Sequence, residues 1–398
     1  MGGLRRPVWP FQVICVLATA VIAVAFSISP SHAQSGRSAA TQRGGAPVPD
    51  KPNLGSVGER INANTISIVS GNLNATYLTI AYDLSAVLDD GDEFRVLPVI
   101  GKGGGQNLRD VRFLKGVDLG ITQSILLSAA RRSNEIGSID DKIVYIAKLF
   151  NEELHLVVRA DSGIESIEQL AGEKINFSDV GSGTQLSARD IFSRLKIQVE
   201  ELNMGQADAL ERLKSGEIAA TVLIAGKPAS AMTKLKAAEG FRFLRIPFAK
   251  ALQDDYLPAA LSNEDYPGMV PPGDGVETIA VSSVLIAYNW PKGSDRYRRI
   301  EKFVQRFFPK LAEFQKSPRH PKWHETNLAA TLPGWTRFAA ADEWLQRNRP
   351  AQQQQPTAAV RDNFKAFLAT RGATAPKPED RERLFEEFLT WSQARERK

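Results

Sequence analysis

The chain has very little cysteine and histidine. Its 398 residues include one cysteine and four histidines. The cysteine, Cys15, lies in an apolar run near the N-terminus, so the rest of the chain has no thiol with which to form a disulfide. The histidines lack zinc-ligand spacing, because His324-Glu325 is followed by Thr-Asn-Leu and not by a second ligand. We therefore expect no metal or cofactor, and a fold that is stabilised by a buried apolar core.

An excess of charge of one sign is also missing. The chain has 50 Lys and Arg against 45 Asp and Glu, which gives a formal net charge of +5. A nucleic-acid-binding protein needs a concentrated basic face with aromatic platforms, so no nucleic acid is expected as a partner. Beyond residue 33 no apolar run approaches the length that spans a bilayer. The mature protein is expected to be a monomer that does not cross the membrane.

The N-terminal segment has the pattern of a secretory signal peptide. Arg5 and Arg6 precede an apolar stretch, and Ser31-His32-Ala33 supplies small residues at the positions that a signal peptidase requires. We predict a signal peptide over residues 1–33 and a periplasmic mature protein. An uncleaved N-terminal anchor is the alternative. Residues 34–62 are rich in Ser, Gly, Pro and charge, which predicts a disordered spacer.

Short apolar runs then alternate with amphipathic helical patterns. Strand-like runs occur at 65–70, 94–100, 117–122, 143–149, 154–160, 174–179, 219–225, 241–247 and 278–289. Helical periodicity occurs at Tyr77–Leu88, Asn107–Leu114, Gln123–Arg132, Ile167–Leu170, Gln185–Leu195 and Gln206–Ser215. This alternation predicts an α/β protein with mostly parallel sheets and helices on both faces. Nine strands are many for one sheet, so the pattern favours two α/β lobes.

The last part of the chain differs in composition. After Trp290-Pro291 the pattern predicts charged helices. A Pro/Gln-rich linker follows at 349–357, and two amphipathic segments continue to residue 398. We predict a C-terminal helical extension over 349–398, which is either a docked hairpin or a frayed pair of helices.

The segments that follow the strands share one chemistry. Ligands of open α/β sheets bind at the carboxyl ends of the strands. Five such segments, 71–77, 101–107, 122–124, 178–184 and 225–228, are rich in Gly, Asn, Gln, Ser and Thr at a helix start. Backbone N–H groups and neutral donors would point to one place there, with helix dipoles favouring negative charge. The alternative for any single segment is a tight turn.

Groups that catalyse reactions are absent from these segments. "GKGGGQN" lacks the spacing and the Lys-Ser/Thr of a P-loop, and "SGNLNAT" is not G-x-G-x-x-G. Ser182 in "GSGTQ" has no evident base and no G-x-S-x-G context. His155 lies on an apolar strand, which is typical of a structural histidine. Donors without an acid, a base or a nucleophile predict a binding site and not an enzyme.

The order of these motifs resembles a known family. "GGGQNLRDVRFLKGVDLGITQS", "LHLVVRADSGIESIEQLAGEKINF", "GSGTQLSARDIF" and "QADALERLKSGEIAATVLIAG" are similar, in this order, to segments of the extracytoplasmic solute-binding subunits of TAXI-type TRAP transporters. The resemblance covers about Ile66 to Trp344. It implies a two-lobed, type II-like periplasmic binding protein with lobe 1 at 63–158, lobe 2 at 159–278 and a return to lobe 1 at 279–348. Strands 154–159 and 279–289 would cross between the lobes as the hinge.

The resemblance also implies a function and a set of site residues. Such proteins deliver small carboxylates, of amino-acid or dicarboxylate type, to a TRAP permease that is driven by an ion gradient. A periplasmic ligand-sensing protein that presents its occupancy to a membrane receptor is the alternative. The implied ligand-binding residues are Asn72, Asn74, Thr76, Tyr77, Gly104, Gly105, Gln106, Asn107, Gln123, Ser124, Ser182, Gly183, Thr184, Lys227 and Tyr256.

One loop departs from the family pattern. The family's first loop is close to G-T-G-G-T-G-G-x-Y, whereas Asn72, Leu73, Asn74 and Ala75 occupy these places here. Bulkier residues with amide groups reduce the pocket and change its donors. We therefore expect this loop to set the choice of ligand.

Overall fold

The structure is a computed structural model, in which residues 54–73 and 75–348 are described. The predicted signal peptide, residues 34–53, Asn74 and the predicted tail at 349–398 lie outside the described residues. The strands of the described part are β1 (Thr65–Val69), β2 (Arg95–Val99), β3 (Leu119–Gln123), β4 (Ile143–Arg159), β5 (Lys174–Asn176), β6 (Glu200–Leu202), β7 (Ala220–Ala225), β8 (Phe241–Phe243), β9 (Leu257–Ser262) and β10 (Gly275–Tyr288).

Helices cover both sides of the sheet formed by these strands. They are α1 (Leu54–Ala63), α2 (Thr76–Leu88), α3 (Gly104–Phe113), α4 (Ser124–Ser133), α5 (Gly183–Arg194), α6 (Gln206–Ser215), α7 (Asp295–Phe307), α8 (Leu311–Phe314) and α9 (Ala339–Arg347). Short 3₁₀ helices lie at Ile167–Leu170, Ala237–Glu239, Lys250–Leu252, Phe308–Lys310 and Pro321–Glu325. None of the helices in the described part of the chain is long and apolar enough to span a membrane.

Two long strands connect two parallel halves of one mixed sheet. The strand order is β2-β1-β3-β10-β4-β7-β5-β6, with β8 on β4 and β9 on β10. Strands β1, β2 and β3 are parallel to one another, as are β5, β6 and β7, whereas β4 and β10 run antiparallel to their neighbours. We call the half with β1–β3, α2–α4 and α7–α9 lobe 1, and the half with β5–β7, α5 and α6 lobe 2. The predicted two-lobed α/β fold is confirmed.

The strand β4 belongs to both lobes. Its first part, up to Glu153, pairs with β10, and its part from Glu153 to Val158 pairs with β7. The sequence pattern predicted two strands, at 143–149 and 154–160, because the polar residues between them interrupt the apolar run. The structure shows one continuous strand instead. Glu152 and Glu153 therefore lie at the crossing point between the lobes.

Each lobe has its own apolar core, and the two cores meet at α4. Ile68 and Phe303 belong to the main cluster of lobe 1, and Ile191 and Val222 belong to a cluster of lobe 2. Leu126 of α4, in lobe 1, is buried in that lobe 2 cluster. Apolar burial of this kind stabilises the contact between the lobes.

Helix ends follow the sequence signals. The side chain of Ser182 accepts a hydrogen bond from the backbone N–H of Gln185 at 3.1 Å and thereby caps α5. The predicted capping box of Ser166 and Gln169 is present, and Gly216 ends α6 with a φ of 79°. Of these signals, the Ser182 cap is the one that fixes a helix start at the carboxyl ends of the parallel strands.

The predicted spacer is wrong at its C-terminal end. Residues 54–62, which were expected to be disordered, lie in α1. The short strands β6 and β9 were not predicted, because "EEL" and "LPAALS" have little of the β-branched and aromatic content that marks a strand.

Candidate functional site

A cavity of about 160 Å³ lies between the lobes at the carboxyl ends of the parallel strands. Its lining comes from both lobes and from the shared strand β4, as the position of such sites in α/β proteins predicts. The lining includes Gly71, Asn72, Thr76, Tyr77, Lys102, Gly103, Gly104, Gln123, Glu152, Ser178, Ser182, Gly183, Thr184, Ile224 and Ala225.

Four helices begin at this cavity. They are α2, which starts at Thr76, α3, which starts at Gly104, α5, which starts at Gly183, and α6, which starts at Gln206. The first N–H groups of a helix have no partner within the helix, and the dipole adds partial positive charge there. The cavity therefore favours an anionic group, such as a carboxylate.

The starts of α3 and α5 touch each other across the lobes. A Cβ atom on Gly104 would overlap the backbone of Gly183, and a Cβ on Gly183 would lie 3.0 Å from Nε2 of Gln123. Gly104 also has a φ of +48°, in the region that favours glycine. Glycine is thus required at this contact for both space and backbone conformation.

A buried carboxyl group lies at the floor of the cavity. The hydroxyl group of Tyr77 donates a hydrogen bond to Oε2 of Glu152 at 2.6 Å, and the side chain of Gln123 lies close enough to lower the pKa of Glu152. Oε1 of Gln123 in turn accepts a hydrogen bond from the hydroxyl of Ser187 at 2.6 Å. This chain of side chains runs from α2 through β4 and β3 to α5, so it joins lobe 1 to lobe 2.

Burial changes the acidity of this group. The pKa of Glu152 is raised to about 8, chiefly by burial and also by the neighbouring Glu153, whereas Tyr77, Gln123 and Lys322 act to lower it. Burial, followed by the proximity of Glu152, also raises the pKa of Tyr77 well above its usual value. Glu152 is therefore mostly protonated at neutral pH while no cation lies against it.

The neighbouring Glu153 points to the other side of β4 and is neutralised. It accepts hydrogen bonds from Nζ of Lys322 at 2.6 Å and from the backbone N–H of Lys227 at 3.0 Å. Lys322, which is only 2% exposed, also bonds to Glu325 at 2.6 Å. By contrast, Glu152 forms no ion pair with any residue that the structure describes. Only one of the two adjacent acids faces the cavity.

Most of the residues implied by the resemblance lie at this cavity. Asn72, Thr76, Tyr77, Gly104, Gln123, Ser182, Gly183 and Thr184 line it. Gly105 and Gln106 line a separate groove of about 560 Å³ between α3, α4 and α5. Ser124, the first residue of α4, lines neither.

Asn107 has a structural position instead. Its side chain is fully buried, and its Nδ2 donates to the carbonyl groups of Val69, Ser70 and Ile121 at 3.2, 2.8 and 2.7 Å. These bonds join the ends of β1 and β3 to α3. Asn107 therefore positions the cavity without facing it.

Lys227 and Tyr256 also lie away from the cavity. Nζ of Lys227 bonds to Asp265 at 2.9 Å and to the carbonyl of Ala260 at 2.8 Å. The hydroxyl of Tyr256 donates to Asp190 at 2.9 Å, within the core of lobe 2. Both side chains therefore have partners within the protein, which the sequence pattern could not show because those partners are distant along the chain.

His155 has a structural position as well. The ring of His155 is fully buried between Tyr266, whose hydroxyl lies 2.7 Å from Nε2, and the carbonyl of Leu223, 3.2 Å from Nδ1. Burial lowers the pKa of His155 to about 4. The prediction of a structural histidine at this position is confirmed. Within the described residues no group of three or more His, Cys, Asp or Glu side chains could hold a metal ion.

Several hydrogen bonds close the cleft. The hydroxyl of Thr76 donates to the carbonyl of Gly226 at 3.0 Å, and Nδ2 of Asn72 donates to Oδ2 of Asp179 at 3.2 Å. Each pair joins lobe 1, at the start of α2 or the loop before it, to a loop of lobe 2. The structure therefore shows the two lobes in contact around the cavity.

Residues 68–324 match the family model of the NMT1-like family. The chain belongs to the NMT1-like family. This match covers both lobes and the crossing strands that carry the cavity. The finer resemblance to TAXI-type subunits stays a prediction.

Solved structures of low sequence identity have a similar chain path. The periplasmic binding protein BugD is 14% identical, with 76% of this chain and 97% of that chain covered and a TM-score of 0.45. The periplasmic aliphatic sulphonate binding protein SsuA from Escherichia coli is 15% identical, with coverage of 77% and 87% and a TM-score of 0.38. A TctC solute binding protein from Polaromonas is 14% identical, with coverage of 71% and 88% and a TM-score of 0.37.

Proposed function

We propose that this NMT1-like protein is an extracytoplasmic solute-binding protein that closes its two lobes around a small carboxylate. The observation that carries the proposal is the convergence of four helix starts, from both lobes, on one cavity. Each helix start stabilises an anion by about 0.3–1 kcal/mol, and more where the site is partly buried. The arrangement provides binding groups without the nucleophile–base pair that hydrolytic catalysis needs.

The groups that hold the carboxylate follow from the hydrogen bonds. The hydroxyl of Ser182 is used to cap α5, and the hydroxyl of Thr184 accepts from the backbone N–H of Ile224 at 3.0 Å. Ser182 therefore fixes the start of α5, and Thr184 ties α5 to β7 of its own lobe. The carboxylate would accept its hydrogen bonds from the first backbone N–H groups of α5 and α3, beginning at Gly183 and Gly104.

The biological role that we propose is transport. The mature protein, exported to the periplasm after cleavage at residue 33, would deliver an amino acid or a dicarboxylate to an ion-gradient-driven TRAP permease. Closure of the lobes would mark the loaded state, because the bonds of Asn72 and Thr76 to lobe 2 form only when the lobes meet.

A ligand screen tests the binding function. Purified protein of residues 34–398 would be melted with amino acids, dicarboxylates and keto acids, each at saturating concentration. A ligand that binds only the native state stabilises it by about 2.7 kcal/mol at a hundredfold excess over its dissociation constant. We expect a rise in Tm with at least one small acid. The absence of a rise with all of them would refute the proposal.

A sensing role is the second candidate. It is favoured by the length of chain beyond the family match, which ends at residue 324. In that role residues 350–398 would bind a membrane receptor. Deletion of these residues would then abolish receptor binding and leave ligand affinity unchanged, whereas a transport protein would still support uptake.

A further inference from the structure

We propose that Glu152 determines which carboxylates the cleft accepts, because its carboxyl group takes an N–H donor of the solute, above all an ammonium group. The inference rests on the proposed function and narrows its ligand. The sequence comparison did not indicate this residue, which was absent from the set of predicted site residues.

The position of Glu152 supports this role. It lies in β4 at the point where the strand passes from lobe 1 to lobe 2, its side chain lines the cavity, and it is 3% exposed. A carboxylate offers about four acceptor positions. Tyr77 occupies one of these positions and holds the group in place. Acceptor capacity therefore remains for a solute.

The charges around the cavity favour a solute with a carboxylate at one end and an ammonium group at the other. Among the described residues that line the cavity, Lys102 is the one cation and Glu152 the one acid, and Lys102 is exposed at the rim. The helix starts bind the carboxylate end. A second carboxylate would bury its own charge at the floor without a cation, whereas an ammonium group would pair with the ionised form of Glu152. The site thus fits an amino-carboxylate better than a dicarboxylate.

A purely structural role explains Glu152 poorly. Burial of an ionisable group without an ionic partner costs free energy, and structural acids are usually paired. The adjacent Glu153 shows the structural solution, since Lys322 neutralises it. Glu152 has hydrogen-bond partners but no such cation within the described residues.

Solute binding would change the proton on Glu152. The groups that influence its charge are Tyr77 on α2, Gln123 on β3, and, from the other side of β4, Glu153 and Lys322 of the 3₁₀ helix Pro321–Glu325. In the empty cleft these surroundings keep the carboxyl group mostly protonated at pH 7. An ammonium group beside it would favour the ionised form, so that binding releases close to one proton.

The experiment compares acids with and without an amino group. L-glutamate is paired with glutarate, and L-aspartate with succinate, and binding is measured calorimetrically at pH 7 in phosphate and in Tris. We expect the wild-type protein to prefer the amino member of a pair by about tenfold or more. The difference in binding heat between the two buffers should show the released proton.

Glu152→Gln keeps the shape of the side chain but cannot ionise. We expect it to lose the preference for the amino member and the proton release, while it still binds glutarate or succinate. Glu173→Gln makes the same substitution at an exposed position and serves as the control. It should behave as the wild type does.

The possible outcomes separate the two proposals. If these acids bind without a preference for the amino member, or without proton release in the wild type, Glu152 does not have this role and the solute-binding function stands. If Glu152→Gln fails to fold, proton release by the wild type alone answers the question. If no carboxylate binds at all, the proposed function fails and the role of Glu152 fails with it.

Discussion

The hydroxyl of Tyr77 donates to Glu152 at 2.6 Å and thereby ties the first helix of the cleft to the strand that both lobes share. Tyr77 also contacts Phe150, with ring centroids 6.4 Å apart at an angle of 68°. The site is thus positioned from the hinge side by groups that are themselves buried. Changes at this pair should affect both stability and binding.

Replacement of Tyr77 by Phe should destabilise the protein by about 1–3 kcal/mol, because Glu152 loses a buried hydrogen-bond donor while the ring contact remains. Urea unfolding measures this change. The control is Tyr82→Phe, since Tyr82 is 63% exposed and its hydroxyl lies on the surface. Equal stability of the two variants would show that the Tyr77–Glu152 bond contributes nothing.

Replacement of Gly104 by Ala should prevent closure of the lobes. The new Cβ would overlap Gly183, and the φ of +48° is strained for alanine by about 1 kcal/mol or more. We expect a larger radius of gyration by X-ray scattering in the presence of ligand and a large loss of affinity. Gly58→Ala, at a helical position with open space around it, should change neither. A Gly104→Ala protein that closes and binds ligand normally would show that the close contact between Gly104 and Gly183 is not needed for closure.

The stability of the protein should depend on pH through Glu152. Its pKa in the folded state, about 8, is above the unfolded value, so the native state binds more protons between pH 5 and 8. The stabilisation is fully present below the unfolded pKa and is lost as the pH rises through 8. The difference in unfolding free energy between the wild type and Glu152→Gln should therefore fall with pH, by at most about 1.4 kcal/mol per unit. A difference that stays constant between pH 5 and 8 would show that the pKa of Glu152 is not raised.

Replacement of Lys322 by Met should be severely destabilising. It removes the cation that Glu153 and Glu325 share in the interior, which typically costs about 3–5 kcal/mol. A second change, Glu153→Gln, should restore part of the loss because it removes the unpaired charge. The exposed Lys316, which pairs with Glu313, provides the control, and Lys316→Met should cost less than about 1 kcal/mol. Absence of rescue by the double variant would show that charge is not the cause.

The sequence predicted the position of the candidate site better than it predicted which residues line it. Thr76, Gln123 and Ser182 come together because the ends of parallel strands meet at one edge, which alternation of strands and helices makes predictable. Asn107 belongs to a segment with the same Gly- and amide-rich composition, yet its side chain turns inward and joins β1 and β3. The direction of a side chain at a helix start depends on packing that no local pattern records.

Glu152 was missed for a related reason. Two adjacent acids within an apolar strand indicate in the sequence that these positions have a specific role, since both side chains are costly to bury. Successive residues of a strand face opposite sides, so one of them had to point toward the cleft. Which of the two acids faces the cleft depends on Lys322, which pairs with Glu153 and lies 169 residues from it along the chain. Tertiary structure was needed to make that choice.

The most direct test of the proposed binding function is mass spectrometry of the solute that the protein retains through purification. The proposal predicts about one small carboxylate per wild-type chain, and none in Gly104→Ala purified in the same way. Equal retention by both proteins would contradict it. So would a retained solute without a carboxylate, or a wild-type protein that retains nothing and binds none of the screened acids.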